Sequence, residues 1–198
     1  TPAKQPVEQI TKKVQEKTSN SVDIAETSAI KTEGVETVPE ILFLFGSESG
    51  TAENFAYDIA EEAPIYGFKA KTLSIEDFSP LDLETQRFVV FVVATHGEGE
   101  PTSNAVSFWE EWVTKDNNER ESNNLPNLVY AVFGLGNRQY RYFNAVAKRI
   151  QKELTITKAE PLLPLSLGDD DGTMEEDMEN FRANFWQAAR ERFLANTS

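Results

Sequence analysis

Three runs in this chain are almost wholly apolar and rich in β-branched residues: ILFLF (Ile41–Phe45), FVVFVVAT (Phe88–Thr95) and LVYAVF (Leu128–Phe133). A strand with one wet face alternates apolar and polar residues. A run apolar at every position must be covered on both faces. Helical spacing separates the runs. Ala52, Phe55, Ala56, Ile59, Ala60 and Ala63 recur by threes and fours, as do Phe108, Trp109, Trp112 and Val113 within Asn104–Val113. Phe143, Val146, Ala147, Ile150 and Leu154 mark a further helix, and Met174, Met178, Phe181, Phe185, Ala189 and Phe193 the last. Thr173 and Glu176 are spaced as a capping box at its start. Lys69–Ile75 and Leu162–Leu167 read as weaker strands, and Pro164, which cannot donate to a ladder, puts the second at a sheet edge. The expected fold class is α/β: a doubly wound, five-stranded parallel sheet of strand order 2-1-3-4-5, with the strong strands in the middle.

The aromatic residues set the domain boundary. None of the 18 Phe and Tyr or three Trp precedes Phe43, and the lead is rich in Lys, Glu, Thr, Ser and Pro. Such a segment cannot bury enough apolar surface to offset its chain entropy. Residues 1–39 are therefore expected to be a disordered or extended linker, with a marginal helix over Val7–Lys17, and residues 40–198 the folded domain. The chain has no cysteine and one histidine, His96. That excludes disulfides, thiolate metal sites and a cysteine nucleophile. A net charge of −14 argues against nucleic-acid binding. No run is long enough to span a membrane, and no signal peptide is visible, so the expected location is cytoplasmic.

In a doubly wound sheet, ligands bind beyond the carboxyl ends of the strands. The loops there are informative. GSESGTAEN (Gly46–Asn54) leads straight into a helix, so small residues and hydroxyls surround the free amides of a helix N-terminus. This is an anion cradle. It lacks the P-loop lysine and the GxGxxG spacing, and a Gly-rich turn with Ser/Thr caps is the alternative reading. ATHGEGEPTSNA (Ala94–Ala105) places His96 at a strand tip, where a surface role competes with a ligand-facing one. FGLGNRQYRYFNA (Phe133–Ala145) sets Tyr140 and Tyr142 in a polar loop, able to cap the core or to stack on an aromatic ligand. In GDDDGTMEEDMEN (Gly168–Asn180), seven of the residues from Asp169 to Glu179 are acidic. Aligning Gly172 with the EF-hand glycine puts Leu167 and Met178 where carboxylates are required, which excludes that site. Helix-dipole complementarity accounts for only part of the run, and the rest suits docking of a basic partner.

Together, in this order and spacing, the four loops resemble the FMN-binding, flavodoxin-like domain of the diflavin reductases, over about Pro39 to Leu194. The resemblance implies one-electron transfer from an FAD/NADPH-binding reductase module to a basic haem or iron–sulfur partner. It implies that Ser47, Glu48, Ser49, Gly50, Thr51 and Ala52 wrap the FMN phosphate, and that Ala94, Thr95, His96 and Gly97 line one side of the ring. Leu135, Gly136, Asn137, Arg138, Gln139, Tyr140, Arg141, Tyr142, Phe143 and Asn144 would line the other, with Tyr140 stacked on it and Asp170 near the cofactor. Asp169, Asp170, Asp171, Glu175, Glu176 and Asp177 would face partners. No side chain need act as acid, base, nucleophile or metal ligand, because the flavin carries the chemistry. Two positions depart from the family. His96 stands where an aromatic is usual, so it is expected to alter the FMN potentials and make them pH-dependent. Glu48 replaces an amide, and its side chain is expected to point outward, away from the phosphate. The parent is expected to be an NADPH-dependent oxidoreductase of the cytochrome P-450 reductase type, or the reductase part of a pyruvate:NADP oxidoreductase-type fusion. A free-standing flavodoxin or flavodoxin-like quinone reductase is the alternative. A receiver-type signalling domain is the alternative outside redox chemistry, although it needs acids on the early loops and a Lys after the last strand.

Overall fold

The three apolar runs form the centre of a parallel sheet in the computed structural model of the chain, which describes residues 38–114 and 124–195. β1 (Glu40–Gly46) lies between β2 (Lys69–Ser74) and β3 (Phe88–His96). Glu40 pairs with Lys69 and Leu42 with Val89. After β3 a two-residue strand, β4 (Glu100–Pro101), folds back antiparallel on Thr95 and His96. β5 (Val129–Gly136) pairs with the other side of β3, Phe88 opposite Val129.

Strand pleating sorts the apolar residues into two cores. Ile41, Phe43, Phe45, Val90, Val92, Ala131 and Phe133 face one way. Leu42, Leu44, Val89, Phe91, Val93, Tyr130 and Val132 face the other. α1 (Thr51–Glu62) covers the first core with Ala52, Ala56 and Ile59. Over the second core, α2 (Val106–Phe108) continues as a π-helical turn, Trp109–Val113, that buries Trp112 and Val113 beside Phe108. α3 (Ala145–Ile156) joins it there with Val146, Ala147, Ile150 and Leu154. α4 (Met174–Phe193) returns to the first core, where Met178, Phe181, Phe185 and Ala189 are buried. Each such phenylalanine contributes about 1.5–3 kcal/mol by burial, which holds the layers together. The parallel order is β2-β1-β3-β5 and then the edge pieces below, which is the expected doubly wound 2-1-3-4-5 once the short antiparallel β4 is set aside and those pieces are counted as one strand.

That edge strand differs from expectation. Instead of a continuous Leu162–Leu167, two pieces pair with β5: β6 (Glu160–Pro161) and β7 (Ser166–Asp169). Val129 faces Glu160 while Phe133 faces Ser166, so the edge carries two surplus residues between the pieces. Pro164 lies in that gap, where no ladder needs its missing N–H. Pro161 is tolerated because the amides on either side of it bond across: Glu160 to the Leu128 carbonyl just before β5 at 2.8 Å, and Leu162 to the Tyr130 carbonyl in β5 at 2.7 Å.

The capping box is also not formed. The Thr173 hydroxyl donates to Asp177 Oδ2 at 2.8 Å, and that oxygen also accepts the Asp169 amide at 3.1 Å. The proposed linker up to residue 37, with its helix over Val7–Lys17, and most of the polar loop Thr114–Asn127 lie outside the described residues. Among the described residues, no helix is long and apolar enough to cross a membrane.

Candidate functional site

The loops after β1, β3 and β5 meet at the carboxyl edge of the sheet around a cleft of about 590 Å³. That is a volume suited to a nucleotide-sized ligand. At one end lies the start of α1. Gly50 is its N-cap, at φ +91°, a left-handed conformation that favours glycine. The first helical bond runs from the Asn54 amide to the Gly50 carbonyl at 2.9 Å. The amides of Thr51, Ala52 and Glu53 therefore have no acceptor within the helix. Gly50 has no side chain to cap them, and its own amide is taken by Ser47 Oγ at 3.0 Å. The hydroxyls of Ser49 and Thr51 sit 3.2 Å apart beside these amides. Dipole, open donors and hydroxyls make an anion site without any Lys or Arg in the loop.

The loop after β3 forms the next wall. Thr95 Oγ1 accepts the Val146 amide at 3.2 Å, so this strand end caps the start of α3. His96 is exposed at the mouth. Asn104 ties the loops together: its Oδ1 accepts the Ser47 amide at 2.9 Å and the Thr102 hydroxyl at 2.8 Å, and its Nδ2 donates to Ser74 Oγ at 3.0 Å. Glu48 is exposed, with its carboxylate turned onto the neighbouring loop. Its Oε2 accepts both the amide and the hydroxyl of Ser103, at 2.8 and 3.0 Å. The Ser103 amide, then its hydroxyl, hold the Glu48 carboxyl below its ordinary range, with His96 adding a smaller attraction.

The loop after β5 supplies the flat surfaces. The Tyr140 amide closes a turn onto the Asn137 carbonyl at 3.1 Å, leaving its ring 68% exposed at the cleft. Tyr142, also on the cleft, is 40% exposed. Asn144 is fully buried at φ 54° and donates to the Gly168 carbonyl at 3.0 Å. Its Oδ1 is itself buried, packed against Gly134 of β5, and has no hydrogen-bond partner among the described residues.

The acidic run divides in two. Asp169 is only 7% exposed. Its carboxylate accepts the amides of Arg138 at 2.9 Å and Asp171 at 3.1 Å, and the Arg138 guanidinium lies at 3.2 Å. The Arg138 amide is the largest cause holding this carboxyl below its ordinary range, followed by the Asp171 amide and the Arg138 charge. Asp177 is committed to Thr173 and the Asp169 amide. Asp170, Asp171, Glu175 and Glu176 remain exposed. Asp169 and Asp177 thus hold the loop together from within.

Most of the residues singled out in the sequence border this one cleft: Ser47, Glu48, Ser49, Thr51, Ala52, Ala94 to Gly97, Leu135 to Asn137, Tyr140, Tyr142 to Asn144, and Asp170. Four do not. Gly50 lies behind the helix start; Arg138 turns to Asp169 and the Phe143 ring; Gln139 donates to Asp171; Arg141 lies over the Tyr142 ring. Glu98, Thr102 and Met174 line the cleft and were not singled out. All three fell inside the loop segments already marked, and the one apolar residue opening α4 was the available sign for Met174.

The arrangement fits FMN: an uncapped helix end for a phosphate, and exposed Tyr140 and Tyr142 on the same cleft for a flat ring. The Flavodoxin family profile matches residues 43–183. Human NADPH–cytochrome P-450 reductase is 39% identical over 158 residues, 77% of this chain and 22% of that protein. The bovine reductase is 36% identical over 186 residues, 91% of this chain and 26% of its own length. The chain thus spans about a quarter of these relatives. Among solved structures, a flavodoxin of Streptococcus pneumoniae superposes with a TM-score of 0.64 at 20% identity, covering 77% of this chain and 99% of that one. A Pseudomonas aeruginosa flavodoxin gives 0.63 at 23% identity, covering 75% and 97%. The chain belongs to the flavodoxin family, as an FMN-binding electron-transfer domain homologous to that of the NADPH–cytochrome P-450 reductases.

Proposed function

We propose that this domain receives electrons from an FAD/NADPH-binding module of a diflavin oxidoreductase and passes them singly to a basic haem or iron–sulfur partner. The observation that carries the reading is one cleft with an open helix N-terminus at one end and exposed Tyr140 at the other, flanked by exposed Asp170, Asp171, Glu175 and Glu176. Bound FMN supplies the one-electron chemistry. The protein's own residues bind and orient. The amides of Thr51 to Glu53 and the hydroxyls of Ser49 and Thr51 hold the phosphate. Exposed Tyr140 and His96 would flank the ring at the outer edge of the cleft, where a partner can approach. The exposed acids steer a basic acceptor to that edge, and their negative charge disfavours added negative charge on the cofactor, keeping its potential low. Asp169, buried and engaged, is not part of this docking face. A cytoplasmic location, where NADPH is available as the electron source, goes with this reading.

The test is rapid mixing of the reduced, FMN-loaded protein with a basic haem protein across a salt series. A rate that falls about tenfold or more between low and 0.5 M salt supports acid-steered docking. A rate that stays flat contradicts it.

A further inference from the structure

A carboxylate in a loop that receives a phosphate dianion is an electrostatic conflict, and Glu48 occupies such a place. The geometry around it points to a resolution. Its Oε2 takes two hydrogen bonds from Ser103, a residue 55 positions away on the loop after β3. The neighbouring Ser47 amide is bound by Asn104, at 2.9 Å. Two adjacent residues of the phosphate loop are thus pinned to two adjacent residues of another loop. Asn104 is itself fastened to Thr102 and Ser74, so the pins end on a fixed support. Beyond the pins, the amides of Thr51, Ala52 and Glu53 have no acceptor within the helix, while that of Gly50 is held by Ser47 Oγ. The carboxyl is held below its ordinary range, so it is charged at neutral pH and its hydrogen bonds are charge-assisted.

We propose that Glu48 is a positioning residue: by gripping Ser103 it fixes the open amides of the α1 start in their anion-receiving shape without touching the anion. This rests on the reading of the cleft as an FMN site. It gives a prediction opposite in sign to simple charge. Removing a negative charge near a phosphate should tighten FMN binding. Removing a latch should weaken it, because the loop must then be ordered on binding.

The experiment measures dissociation constants of FMN and riboflavin by flavin fluorescence quenching, using the full chain stripped of flavin. Glu48→Ala is expected to weaken FMN binding about tenfold, as befits loss of hydrogen bonds to a charged group, and to leave riboflavin within about twofold of the unsubstituted protein. Glu48→Gln, whose amide oxygen can still accept from Ser103, is expected to restore FMN binding. Ser103→Pro attacks the latch from the other side. It removes both donors at the first position of a short 3₁₀ turn, preceded by Thr102 at ψ 158°, where proline is tolerated. It frees the Glu48 charge and is expected to weaken FMN binding at least as much as Glu48→Ala. Glu48→Ala binding FMN as tightly as the unsubstituted protein, or more tightly, would overturn the proposal. So would equal losses for FMN and riboflavin, or no rescue by Glu48→Gln. If the unsubstituted protein bound neither flavin, the FMN reading itself would fail, a result distinct from all of these.

Discussion

Gly134 sits in β5 directly beneath the start of α3, and the contact between them is close. A Cβ added at Gly134 would lie 2.5 Å from the Ala147 Cβ and 2.6 Å from Asn144 Oδ1. Ordinary carbon contacts are about 3.5–4.0 Å, so a Gly134→Ala side chain forces a separation of roughly 1 Å. Neither neighbour can swing away. Ala147 is a fully buried helix residue, and Asn144 is fully buried and bonded to the Gly168 carbonyl. Strand and helix must move apart, and overpacking of this kind costs about 1–3 kcal/mol. With little freedom to relax, the cost should fall in the upper half of that range. For a domain of this size the midpoint of thermal unfolding should drop by roughly 4–10 °C. FMN affinity should fall as well, because Asn144 lines the cleft and Val146 is tied to Thr95. Scanning calorimetry on the flavin-free protein measures the first effect. Gly50→Ala is the comparison, because no atom lies within 4 Å of its added Cβ and only the left-handed backbone objects, at about 1–2 kcal/mol. A Gly134→Ala midpoint within 1 °C of the unsubstituted protein would refute the packing argument.

Tyr140→Ala removes the exposed aromatic at the cleft and should weaken FMN binding by roughly 2- to 10-fold, read by fluorescence titration; an unchanged constant would exclude stacking. Asp169 has its folded pKa depressed, so its stabilisation is present above the ordinary carboxylate value of about 3.9 and is lost as pH falls through the lower folded value. Unfolding midpoints of Asp169→Asn and the unsubstituted protein should therefore differ by a constant margin from pH 5 to 8 and converge below about pH 4; a margin that persists in acid would refute the linkage. Replacing Asp170, Glu175 and Glu176 by their amides should lower the low-salt rate of electron transfer to a basic haem protein and flatten its salt dependence, while Asp169→Asn leaves that salt slope intact.

Much of this was legible in the chain. Runs apolar at every position dictated a sheet covered on both faces, and the two cores follow the alternation of Leu42 and Phe43, Val89 and Val90. The loops at the carboxyl ends could be named because strand ends and helix starts are local signals. What stayed hidden depends on contacts between distant residues. Three consecutive aspartates look alike in sequence. Only the Arg138 amide and guanidinium, 31 positions away, single out Asp169 for the interior. Glu48 was expected to avoid the phosphate by facing outward, and the two donors that Ser103 offers it were not legible. Thr173 was paired with Glu176 by spacing, but Asp177 already meets the Asp169 amide and takes the hydroxyl too. The break in the edge strand reflects two surplus residues that Pro164 announces without showing on which side the ladder resumes.

The central claim is that the cleft holds FMN by its phosphate at the start of α1 and by its ring beside Tyr140. Titrating the flavin-free protein with FMN, riboflavin and inorganic phosphate tests it most directly. The account predicts a yellow complex with one FMN per chain, quenched flavin emission, riboflavin bound markedly more weakly, and phosphate competing with FMN but not with riboflavin. A protein that stays colourless, or that binds riboflavin as tightly as FMN with no effect of phosphate, would contradict it.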